Sequence, residues 1–78
     1  MDIDREALRE LLLDLHPEVD YDTHTRLIEE GIIDSFDLVC LIGDIKDSFG
    51  VVIHGEEIVP ENFNSLDAIW RLLVQKGC

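Results

Sequence analysis

Apolar residues return every three or four positions in three separate stretches of this 78-residue chain, and that period dictates helices. In the first stretch Ile3, Ala7, Leu8, Leu11, Leu12 and Leu15 share a face, which predicts a helix over Asp4–Leu15. Asp2 or Asp4 is placed to cap its start, where negative charge suits the helix dipole. His16-Pro17 stops it, because a residue before proline avoids helical angles. In the second stretch Leu38, Leu41, Ile42, Ile45 and Phe49 form the core stripe of a helix over Ser35–Phe49. Asp34 is a good N-cap, Asp37 follows where an acid can reach back toward the cap, and Gly50 suits the C-terminal cap. Gly43 inside this helix costs about 1 kcal/mol relative to alanine. It is either simply tolerated or a flat spot where a partner can approach. In the third stretch Leu66, Ile69, Trp70 and Leu73 predict a helix over Leu66–Gln75, capped by Ser65, with Asp67 in its first turn.

The segment Glu18–Asp34 reads as a long loop. Val19, Tyr21, Leu27, Ile28, Ile32 and Ile33 are too many apolar residues for a solvated linker, so the loop should lie on the helices and fill their gaps. Thr25–Glu30 can form a helical turn, and Gly31 permits a sharp bend. Loops this long inside compact domains are usually functional. Val51-Val52-Ile53 lacks a pairing partner and reads as an extended connector over the core. Glu56–Val59 is a candidate short helix ending near Pro60. The expected fold is all-α: one domain over residues 1–78, a four-helix bundle of three main helices plus one short helix, with a long first loop.

Composition then narrows the function. Aromatics are only 6% of the chain, so the core must be mostly Leu, Ile and Val. Eighteen acidic residues face six basic ones, a formal charge of -12. That field repels nucleic acid and anionic membrane surfaces. It favours partners with basic patches and speeds their arrival. A domain this small has little room for a deep, water-free active site, which argues against a self-sufficient enzyme. No apolar stretch is long enough to span a bilayer, and the start Met1-Asp2-Ile3-Asp4 lacks the basic residues of a secretory leader. The expectation is a cytoplasmic monomer.

Other chemistries find poor support. His16, His24, His54, Cys40 and Cys78 match no metal-ligand spacing. Asp20-x-Asp22-x-His24 begins like a calcium loop, but Thr25 stands where the turn glycine belongs and Gly31 where a bidentate acid is required. Ser35 is not in a Gly-x-Ser-x-Gly elbow. Cys40 reads as a partly packed helix residue, Ser48 and Ser65 as structural residues, and Trp70 as a core or core-edge residue.

The informative segment is Gly31-Ile32-Ile33-Asp34-Ser35-Phe36-Asp37-Leu38-Val39. It sets a serine just inside a helix start, directly after an acidic cap. Free backbone N–H groups and the dipole there stabilise an anion. Taken alone the pattern is common, and ordinary capping explains it better.

Asp34-Ser35-Phe36 resembles the Asp-Ser-Leu motif of the acyl carrier protein family. The likeness extends to Leu27 and Gly31-Ile32-Ile33 before the serine, to Leu41, Ile42, Ile45, Phe49-Gly50 and Ile53 after it, and to Ser65-Leu66-Asp67-Ala68-Ile69. The resemblance implies a four-helix bundle with 4'-phosphopantetheine attached to Ser35, placed there from coenzyme A by a phosphopantetheinyl transferase. It implies an acyl or aminoacyl cargo held as a thioester, loaded by an activating ligase and passed to downstream transferases. It further implies that Phe36 and Val39 dock partners, with Asp37, Asp44 and Asp47 as acidic contacts for their basic patches. Bond making would belong to the partners, so the chain itself is not expected to be an enzyme. Phe36 stands where leucine is more usual, a form similar to the carriers for D-alanine in teichoic acid modification. Cys40 stands where many members have glutamate, and His54 where they often have proline. Fatty acid, polyketide, peptide and D-alanine pathways all fit. The rival reading is an unmodified acidic interaction module of the same fold.

Overall fold

The computed structural model describes residues 5–77. Its elements are α1 (Arg5–Leu15), α2 (Ser35–Phe49), a 3₁₀ turn (Gly55–Glu57), α3 (Pro60–Phe63) and α4 (Leu66–Gln75). The expected start of α1 at Asp4, its caps Asp2 and Asp4, its face residue Ile3, and Cys78 lie outside the described residues. Among the described residues there is no strand. α1 packs on α2 and on α4, and α3 packs on α4. The result is an all-α bundle.

The α2 and α4 boundaries follow from their caps. Asp34 Oδ1 accepts from the Asp37 N–H at 2.9 Å, and Asp37 Oδ2 accepts from the Asp34 N–H at 3.3 Å. This reciprocal pair satisfies donors that a helix start leaves open. At the other end Gly50 takes a left-handed φ of 70° and donates to the Lys46 carbonyl, a conformation glycine adopts without steric cost. Ser65 Oγ accepts from the Ala68 N–H at 3.0 Å and starts α4.

The short helix is displaced from its expected position. It runs over Pro60–Phe63 rather than Glu56–Val59, and Glu56 and Glu57 fall in the 3₁₀ turn. Pro60 occupies the first helical position. Its fixed φ suits a helix start, and its missing N–H would find no helical partner there anyway. The proline opens this helix where the sequence reading had it close one.

The core is aliphatic, as the scarcity of aromatics requires. Leu8, Leu12, Leu41, Ile45, Leu66, Ile69 and Leu73 are fully buried, and Phe63 on α3 joins them. The loop between α1 and α2 contributes Tyr21, Leu27 and Ile33 to the same cluster, with Val19, Ile28 and Ile32 packed at its edge. Val51 and Ile53 are buried while Val52 points outward, the alternation of an extended connector. Leu38, Ile42, Phe49 and Trp70 pack against the core from partly buried positions.

The long loop is held by hydrogen bonds as well as by packing. Tyr21 donates from its buried hydroxyl to the Leu12 carbonyl at 2.8 Å and the His16 carbonyl at 3.3 Å. Burial, with Glu18 and Asp37 nearby, pushes its phenol pKa up to about 12. Further on, the Glu30 N–H closes one helical turn onto the Arg26 carbonyl. The exposed donors of that turn are met from the α3–α4 corner. Asn64 Oδ1 accepts from the Ile28 and Glu29 N–H groups at 3.0 and 3.2 Å, and its carbonyl accepts from the Leu27 N–H at 2.8 Å. Gly31 then turns the chain at φ 73°, and the Ile32 and Ile33 N–H groups fold back onto the Leu27 carbonyl. This delivers Asp34 to the head of α2.

Candidate functional site

Ser35 is the first residue of α2 and is exposed. Its hydroxyl makes no hydrogen bond among the described residues. The Asp34 cap takes the Asp37 N–H, and the Ser35 and Phe36 N–H groups lie in the first turn, where a helix offers no internal acceptor. A free hydroxyl therefore stands at the positive end of a 15-residue helix.

Phe36 and Val39 are 74% and 70% exposed, far more than large apolar side chains on the rest of this surface. At helical spacing they share an outward stripe with Gly43 and Asp47, and Cys40 borders it. Cys40 is a free, half-buried thiol. A Cβ built at Gly43 would meet nothing within 4 Å, so the glycine is not required by packing inside the bundle. Asp47 is exposed and Asp44 half-buried.

Asp37 is committed to internal partners. Its side chain is only 19% exposed, and Oδ2 receives both the Asp34 N–H and, at 2.8 Å, His16 Nε2. The hydrogen bond to His16 holds its pKa below the usual 3.8, reinforced by the bond from Asp34 and opposed by desolvation. The same bond raises His16 above its ordinary 6.5, with Glu18 adding to the effect. In the sequence His16 stands only as part of the His16-Pro17 stop of the first helix. The residue that connects the end of α1 to the head of α2 was missed, because its partner lies 21 positions away.

A groove of about 90 Å³ runs between α3 and α4, lined by Glu61, Asn62, Arg71 and Gln75 among others. Ligand pockets commonly hold about 300–1,000 Å³. Among the described residues no group of three or more His, Cys, Asp or Glu side chains is placed to hold a metal ion. No described helix is long and apolar enough to cross a membrane. Compared with protein-family models and with curated proteins, the chain matches none.

Proposed function

We propose that this chain is a carrier protein of the acyl carrier type, with Ser35 the attachment point for 4'-phosphopantetheine. The observation that carries the reading is the exposed, unbonded hydroxyl of Ser35 at the head of α2, beside the bare stripe of Phe36 and Val39. An attached phosphodiester fits this position. It would displace no contact of the fold, and the open N–H groups and dipole of the first turn favour its negative charge. Once attached, the arm supplies a terminal thiol that holds acyl or aminoacyl groups as thioesters.

The chain's own residues then do three things. Ser35 fixes the point of attachment on a rigid element. Phe36, Val39 and Gly43 give a partner an apolar, close-approach surface next to that point. The surrounding charge of -12, with Asp44 and Asp47 on the same helix, draws partners with basic patches. Tethering raises the local concentration of the cargo at each partner, and the bond-making groups belong to those partners.

The test is intact mass after incubation with coenzyme A and a broad-specificity phosphopantetheinyl transferase. One added arm is expected on the wild type and none on Ser35→Ala. A wild type that gains no mass defeats the proposal and leaves the unmodified interaction module.

A further inference from the structure

We infer that His16 is a positioning residue for Ser35: protonated, it bridges Glu18 and Asp37 and so steadies the closed loop of residues 34–37 that presents the serine. This inference rests on the carrier reading for its consequence, although the coupling itself stands on geometry.

The imidazole lies between two carboxylates. Nδ1 is 3.4 Å from Glu18 Oε1, and Nε2 is 2.8 Å from Asp37 Oδ2. A neutral imidazole has one N–H and one lone pair, so it can donate to only one of them; the imidazolium donates to both. The groups that face His16 are Glu18 from the loop, Asp37 from α2, and Tyr21, whose hydroxyl donates to the His16 carbonyl. Asp34 in turn faces Asp37. Tyr21 stays un-ionised at neutral pH because burial pushes it up to about 12. The two neighbouring carboxylates therefore favour the ring's charge, Asp37 most, and desolvation opposes it.

Asp37 is the reciprocal half of the cap. Residues 34 and 37 exchange hydrogen bonds, and Ser35 and Phe36 are the residues enclosed between them. The bond that Asp37 accepts from the Asp34 N–H is the longer of the two, at 3.3 Å. It depends on the Asp37 carboxylate staying where His16 holds it. When His16 loses its proton, Glu18, with a side chain 70% exposed, turns to water. The contact to Asp37 drops from an ion pair to a weaker hydrogen bond between a neutral N–H and the carboxylate. The Asp37 side chain gains freedom, and the head of α2 loosens around Ser35.

The experiment has two readouts. Nuclear magnetic resonance follows the His16 ring and the Asp34 amide of the wild type through a pH titration. The Asp34 amide should move with the same midpoint as the ring, lose that transition in His16→Gln, and show it at lower pH in Glu18→Gln. Loading of Ser35 by the transferase is then compared between wild type and His16→Gln, so that the transferase's own pH dependence cancels. Loading of His16→Gln should be slower by about two- to fivefold below the ring's midpoint, the scale of a charge acting at a helix end, and equal above it. An Asp34 amide blind to the ring overturns the inference, as does a loading ratio that is flat with pH. A wild type that loads normally while the ratio is flat sinks this inference alone; a wild type that never loads sinks the carrier reading as well.

Discussion

Replacing Gly43 by alanine should make the folded protein more stable. Gly43 lies inside α2 on its outward face, and a Cβ there has no neighbour within 4 Å. No clash opposes the change, and no cavity is filled by it. What remains is backbone entropy: glycine in a helix interior is less favourable than alanine by about 0.8–1.0 kcal/mol. In a domain of this size a gain of 1 kcal/mol raises the melting temperature by about 4–8 °C. Melts in heat and in urea, followed by far-ultraviolet circular dichroism, should show a rise of about 3–8 °C and a shifted urea midpoint with an unchanged slope. Gly43→Gln should also gain, by slightly less, since glutamine is a good helix former with room to point into water. The same substitutions place atoms between Phe36, Val39 and Asp47, so partners that approach this stripe should bind more weakly. A lower melting temperature in Gly43→Ala would refute the reasoning, because it would mean that something in the bundle needs the space.

Further outcomes follow from other contacts. Asn64→Ala strips the acceptor from two backbone N–H groups in the long loop and should cost about 0.5–2 kcal/mol in urea melts, the scale of a lost helix cap; no measurable change would contradict the capping role. Phe36→Ser should leave stability within about 0.5 kcal/mol, since the ring is 74% exposed, while binding of a loading enzyme falls; a marked loss of stability would show that the ring packs. Stability should also depend on pH through His16 and Asp37. His16 is raised above 6.5 chiefly by its bond to Asp37, so the folded state holds this proton more tightly than the unfolded state. That contribution is complete below pH 6.5 and disappears as pH climbs through the raised value. Asp37 is lowered from 3.8, so its share is present above that pH and disappears as pH falls through the lowered value. Urea melts of wild type and His16→Gln across the neutral range should converge as pH rises; a constant gap would argue against a charged pair.

The parts of the fold legible in the sequence were those with local signals. The ends of α2 and α4 carry their caps within four residues of each boundary, at Asp34, Asp37 and Gly50 and at Ser65. The aliphatic stripes named most of the core. Phe63 escaped notice because a helix of four residues is too short to show a period. Pro60 misled because proline both ends helices and begins them, and only the chain on either side decides which. At the candidate site, Ser35, Phe36 and Val39 stand exposed; the place of Ser35 at a helix start pointed to its exposure, while Phe36 and Val39 were singled out by the resemblance rather than by the period. Asp37 was read at once as a cap partner and as an outward acid, and one carboxylate turned mostly inward serves the first use. The His16–Asp37 and Asn64–Ile28 bonds left no trace in the sequence, since they join residues 21 and 36 positions apart.

Asn64 also sets a schedule. The turn that leads into Ser35 borrows its acceptors from a residue synthesised 29 positions after the serine, a count given by 64 − 35. A nascent chain that has released Ser35 but not yet Asn64 has the hydroxyl without the finished scaffold behind it. Any enzyme that reads the shape of this region, rather than its bare sequence, must wait until Asn64 has been made and has folded back onto the turn.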